Sequence, residues 1–163
     1  IMRILGIDPA LTVTGYGVID CSREGLKLVE AGIIATKASQ PLPQRLEKIH
    51  RSVMKLIQDT SPQVLVVEKI FSHYRHPTTS YILGQARGVI CLTCAELGIQ
   101  FVEYPATRVK KAVLGQGLAG KYQVQRMVMD LLGIATVPKY ADITDALALA
   151  ITHSYIAGNA VKR

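Results

Sequence analysis

The chain has 163 residues, 49% of them hydrophobic, with 19 Lys and Arg against 12 Asp and Glu for a net charge of +7. That length fits one domain, and that apolar content excludes a disordered basic tail. No run approaches the roughly 18–20 apolar residues that span a bilayer, and the short run before Asp8 lacks signal-peptide architecture, so a cytoplasmic protein is expected.

In chain order, Ile4-Leu5-Gly6-Ile7 reads as a buried strand ending at Asp8-Pro9. Gly15–Ile19 and Leu26–Thr36 read as two further strands, spaced closely enough for antiparallel pairing. Leu42–Ile57 carries apolar residues at helical spacing, with Pro43 tolerated in the first turn. Val64-Leu65-Val66-Val67 is a second buried-strand run, closed by Glu68. A long helix from Pro77 to about Leu97, a fifth strand at Gln100–Glu103, and helices over Lys121–Leu132 and Ala141–Ala157 complete the pattern. The order βββαβαβαα predicts an α/β fold, a mixed sheet with helices on its faces.

The charge is unevenly placed. Residues 69–141 carry nine basic groups against Glu96, Glu103 and Asp130, whereas the flanking segments are nearly balanced. From Tyr104 to Met129 there are five basic residues and no acid, punctuated by Gly115, Gly117 and Gly120. A polyanionic partner and a plain solvated basic face both fit this distribution. Cys21, Cys91 and Cys94 are odd in number, as expected of reduced thiols. Cys91 and Cys94 form C-x-x-C without a second pair for zinc, so buried helical cysteines are expected there.

Asp8 and Glu68 each follow four apolar residues. A carboxylate so placed must be hydrated, paired or metal-bound, because burying it bare is prohibitive. An Asx-turn before Pro9 and an ion pair with Lys69 are the structural alternatives. Asp142 and Asp145 lie at i and i+3 at the start of an otherwise apolar helix, so one helix face presents both. First-turn acids also suit the helix dipole. Four carboxylates converging on one site would repel strongly unless divalent cations neutralised them. An oxygen-only donor set points to Mg²⁺ or Mn²⁺, not zinc. Two such ions can activate water and stabilise the leaving oxygen in phosphodiester hydrolysis.

Ile4-Leu5-Gly6-Ile7-Asp8-Pro9 with Thr14-Gly15-Tyr16-Gly17 resembles the opening of the RuvC family of bacterial Holliday-junction resolvases. Val67-Glu68-Lys69-Ile70-Phe71, Gly84-Gln85-Ala86-Arg87-Gly88 and Ala141–Ala148 continue the resemblance in order, across essentially the whole chain. It implies one ribonuclease-H-like nuclease domain over residues 1–163, with a five-stranded mixed sheet flanked by helices. Asp8, Glu68, Asp142 and Asp145 match the family's four acidic metal-site positions, with Asp142 the variable ligand. Phe71 matches an aromatic placed against bases near the junction centre, and Arg75 is a cationic neighbour in the same polar segment. Lys110 and Lys121 match basic positions near the scissile phosphate; Lys121 would support the transition state and Lys110 would hold phosphate. Lys111 is a further DNA-binding candidate.

The resemblance also implies Mg²⁺, with Mn²⁺ substituting and two ions per site during catalysis. The implied reaction is paired symmetric nicking of a four-way junction, leaving 5′-phosphate and 3′-hydroxyl ends. A homodimer is implied, as is cooperation with a junction-binding and branch-migration complex. Gly84 and Gly88, one helical turn apart, form a flat strip suited to a dimer contact or to packing on the sheet. Two residues depart from the family pattern: Ala10, where Gly is usual, and Tyr122, where a small or acidic residue is usual. The rival readings are a ribonuclease-H-like RNA-processing nuclease and a junction-binding module with a degenerate site. The segment from Glu68 to Phe71 and the retention of all four acids argue against them.

Overall fold

The computed structural model describes residues 1–70, 77–115, 117–118 and 120–160. Phe71 and Arg75 therefore lie outside the described residues. Among those described, the elements are β1 (Met2–Asp8), β2 (Val13–Ser22), β3 (Gly25–Ala35), α1 (Leu42–Thr60), β4 (Val64–Glu68), α2 (Pro77–Glu96), β5 (Gln100–Tyr104), α3 (Ala106–Leu114), α4 (Lys121–Leu132) and α5 (Ala141–Ala160). The sheet order is β3-β2-β1-β4-β5. β1, β2 and β3 run antiparallel in succession, whereas β4 and β5 run parallel to β1.

Strand alternation divides the core in two. Leu5, Ile7, Leu65 and Val67 pack against Ile49, Val53, Leu56 and Ile57 of α1 and Ala86, Ile90 and Cys94 of α2. Ile4, Val64 and Val66 face the other way, against Val109, Val113, Val124, Val128 and the Leu147–Ile151 stretch of α5. Asp8 and Glu68 share the parity of Ile4 and Val64. Their side chains thus belong to the α5 face.

Helix α3 is absent from the predicted order. The sequence reading assigned no element to this basic stretch, yet Val109 and Val113 bury one helical stripe. Pro105 precedes its first turn, and Gly115, at φ 75°, closes it with its N–H on the Lys111 carbonyl. Cys94 is buried as expected, but Cys91 is exposed, because the outer face of α2 meets solvent. That outer face also decides the Gly84–Gly88 strip: both glycines are exposed with open space beyond them, so the strip does not pack on the sheet.

Candidate active site

β1 and β4 pair in parallel from Ile4 opposite Val64 to Ile7 opposite Val67. Asp8 and Glu68 therefore end adjacent strands side by side, at the carboxyl edge of the sheet where ligands collect in α/β folds. Antiparallel β2 sets Gly15 opposite Asp8 and Gly17 opposite Gly6. The chain needs glycine at these places because α5 crosses directly above them. A Cβ on Gly6 would come within 2.0 Å of the Ala146 carbonyl oxygen, and one on Gly15 within 2.1 Å of the Asp142 carbonyl oxygen. The missing side chains let the first turns of α5 lie on the sheet, which brings Asp142 and Asp145 over Asp8.

The turn leaving Asp8 is built by Thr14 in place of an Asx-turn: its hydroxyl donates to the Ala10 carbonyl at 2.6 Å and accepts the Ala10 N–H at 3.2 Å. Ala10 keeps a negative φ, so alanine fits where the family usually has glycine.

Three of the four acids, Asp8, Glu68 and Asp145, line one cleft of about 340 Å³ together with Arg87, Lys110 and Lys121. Burial pushes the Asp8 carboxyl up to about 7, reinforced by the charges of Asp145, Asp142 and Glu68 and opposed by Lys121. Glu68 is also raised, by burial and by Asp145, against the lowering influence of Lys110 and Lys121. Lys121, in the first turn of α4, places Nζ 2.7 Å from Asp145 Oδ2. Its ammonium is raised by that hydrogen bond.

Among the described residues, no three His, Cys, Asp or Glu side chains stand close enough to enclose an ion as they are oriented. Chemically the set nonetheless fits a hard dication. It offers only oxygen donors, and the mutual repulsion that adds to burial in raising Asp8 and Glu68 is what a doubly charged cation would relieve. Lys121 meets part of that demand as a monocation.

The predicted residues separate into distinct environments. Asp8, Glu68, Asp145, Lys110 and Lys121 share the cleft, and Asp142 acts on Asp8 from its margin. Lys111, next along α3, lies instead beside a second hollow with Arg108, Thr107, Gly117 and Ile156. Tyr122 is exposed beside Lys121. The sequence reading gave no role to Arg87, which reaches the main chain of Glu68. Nor did it use Gly6, Gly15 and Gly17, although glycines recurring in the two strands that flank an acid are a usable sign of close helix approach.

A family model described as "Crossover junction endodeoxyribonuclease RuvC" matches residues 4–153. The crossover junction endodeoxyribonuclease RuvC of Rhodopirellula baltica is 43% identical over 160 residues, covering 97% of this chain and 89% of that protein. Its counterpart in Brevibacillus brevis is 43% identical over 153 residues, covering 94% and 92%. The solved structure of T. thermophilus RuvC in complex with Holliday junction substrate superposes with a TM-score of 0.92 at 31% identity, covering 98% of this chain and 97% of that one. The yeast mitochondrial Holliday junction resolvase Ydc2, at 12% identity and TM-score 0.69, shares the fold. With its ribonuclease-H-like sheet and acids at the strand ends, the chain belongs to the RuvC family of crossover junction endodeoxyribonucleases.

Proposed function

We propose that residues 1–163 form one nuclease domain that binds four-way DNA junctions and cuts them by paired symmetric nicks, leaving 5′-phosphate and 3′-hydroxyl ends. The chain is a structure-selective, metal-dependent junction endonuclease by family. The observation that carries the reading is the juxtaposition of Asp8 and Glu68 on adjacent parallel strands beneath Asp145, in a cleft that also holds Lys110 and Lys121.

Asp8, Glu68, Asp145 and Asp142 would hold Mg²⁺, with Mn²⁺ as a substitute and two ions during catalysis. Bound Mg²⁺ supplies Lewis-acid polarisation of the phosphate and a lowered pKa for attacking water. The carboxylates would hold the ion beside the scissile phosphate, and its positive charge would offset theirs. Lys110 holds a non-bridging oxygen, and Lys121 brings positive charge to the oxygens as charge develops at phosphorus. Phe71 and Arg75 are proposed to stack on and hold unpaired bases, and Lys111 to contact phosphate farther along the duplex.

A homodimer matches a near-symmetric junction with one site for each of the two strands cut. Its support is the outer face of α2, where Tyr81 and Leu92 are 69% and 55% exposed on either side of the open Gly84–Gly88 strip. Cooperation with a branch-migration complex and a bacterial cytoplasmic location complete the proposal. No described helix is long and apolar enough to cross a membrane.

The test is incubation of an end-labelled four-way junction, a linear duplex and an RNA–DNA hybrid with Mg²⁺, using wild type and Asp8→Asn. Wild type should cut the junction at opposed positions, and Asp8→Asn should bind it uncut. A junction bound but left whole by wild type, or preference for the hybrid, would reject the reading.

A further inference from the structure

Arg87 is an unusual investment for a helix surface: its side chain is only 15% exposed, at the rim of the acidic cleft. Its three contacts all serve one end of the sheet. Nη1 donates to the main-chain carbonyl of Glu68 at 2.7 Å. Nη2 pairs with the Glu103 carboxylate. The guanidinium carbon lies 5.5 Å from the centre of the Phe101 ring. Phe101 and Glu103 stand two residues apart on β5 and so share one face of the sheet, which fixes the guanidinium between a ring and a carboxylate.

Glu68 ends β4, and strand ends fray unless their main-chain groups are held. Lys69 N–H donates to the Tyr104 carbonyl at 2.9 Å, which ties the Glu68–Lys69 peptide to β5. Arg87 holds the carbonyl of the same peptide from the opposite side. A water molecule could satisfy that carbonyl, whereas a largely buried guanidinium carries a desolvation cost that Glu103 has to offset. The arrangement is worth that cost where the direction of the Glu68 side chain matters. Two tethers on the Glu68–Lys69 peptide set that direction through the backbone.

We propose that Arg87, oriented by Glu103 and Phe101, is a positioning residue that holds the Glu68 carboxylate in its working direction through the Glu68 main-chain carbonyl. The proposal rests on the assignment of Glu68 to the reaction. It is tested with Arg87→Gln, Arg87→Lys and Glu103→Gln. Each is measured for single-turnover junction cleavage, for junction affinity without divalent ion, for the Mg²⁺-induced rise in Tm, and for hydrogen exchange of the Lys69 amide.

Arg87→Gln should cut about 30-fold more slowly, on the scale of rate losses from small misplacements. Its junction affinity should stay within about twofold, because no DNA contact is lost. Its Lys69 amide should exchange about tenfold faster, and its Mg²⁺-induced rise in Tm should shrink. Arg87→Lys should recover part of the rate by keeping one donor on the carbonyl, and Glu103→Gln should fall between. Wild-type cleavage and wild-type Lys69 exchange in Arg87→Gln would overturn the proposal. So would a loss of rate matched by an equal loss of junction affinity, which would make Arg87 a DNA contact. Should Arg87→Gln fail to fold, unchanged Lys69 exchange in both Arg87→Lys and Glu103→Gln overturns it. The exchange and Mg²⁺ readouts need no cutting, so they stand even if wild type leaves junctions whole.

Discussion

Lys121 Nζ lies 2.7 Å from Asp145 Oδ2, a contact that joins the first turn of α4 to the second turn of α5 across the acidic cleft. The Lys121 ammonium also draws down the raised carboxyl pKa values of Asp8 and Glu68, so one lysine pairs with one acid and moderates two others. Lys121→Gln should therefore reduce junction cleavage by about 10²-fold, the scale of losing one charged transition-state donor. Junction affinity should change little, since Lys110, Lys111, Phe71 and Arg75, the other proposed DNA contacts, are retained. Single-turnover rates and binding curves check this, and a loss confined to affinity would place Lys121 among ordinary DNA contacts.

Asp8 gives a pH prediction with a definite sign. Its carboxyl sits at about 7 in the folded protein against an ordinary value near 3.8, so between these values the folded state holds a proton that the unfolded state has released. Stability without divalent ion should therefore fall as pH rises from about 4 to 7, by at most about 4 kcal/mol from this group. Asp8→Asn should flatten that decline and raise the Tm near neutral pH. It should also shrink the rise in Tm that Mg²⁺ gives wild type. Thermal melts across pH with and without Mg²⁺ provide the check.

Gly15 tests how α5 is seated. A methyl there would come within 2.1 Å of the Asp142 carbonyl oxygen, so helix or strand must shift. Gly15→Ala should cost roughly 1–3 kcal/mol or more in chemical denaturation. It should also lower cleavage beyond what the loss of folded protein explains, because the shift displaces Asp142 and Asp145. Gly98→Ala is the contrast: nothing lies within 4 Å of its Cβ position, and its effect should come from its positive φ of 65° alone, with cleavage by the folded protein unchanged.

The outer face of α2 gives the last prediction. Leu92→Asp places a charge in the proposed contact between copies, at a position already 55% exposed in the single chain. The apparent mass in solution should drop from dimer to monomer while the unfolding transition stays cooperative. An unchanged mass would remove this face from the dimer proposal.

Much of the cleft was legible in the sequence because its acids interrupt patterns that are otherwise uniform. Asp8 and Glu68 break two apolar runs, and Asp142 and Asp145 stand one turn apart at the start of an otherwise apolar helix. Helix α3 was obscured because it is short and basic, with only Val109 and Val113 to mark its buried stripe. Arg87 was not legible as a positioning residue. Its partners Glu68, Phe101 and Glu103 come from two other strands, and only the packing of α2 on the sheet gathers them.

By itself, the sequence determined the local properties: which segments alternate or spiral, which faces they bury, and where carboxylates stand against that burial. Period-two alternation also fixed that Asp8 shares a face with Ile4, and Glu68 with Val64. Tertiary structure alone decided that these are the same face, that β1 and β4 lie side by side, and that α5 rests on Gly6 and Gly15 closely enough to bring its two acids over Asp8. The reason is physical. Periodicity records how each segment meets the core, whereas the distance between segments is set by the register and close packing of partners far apart in the chain.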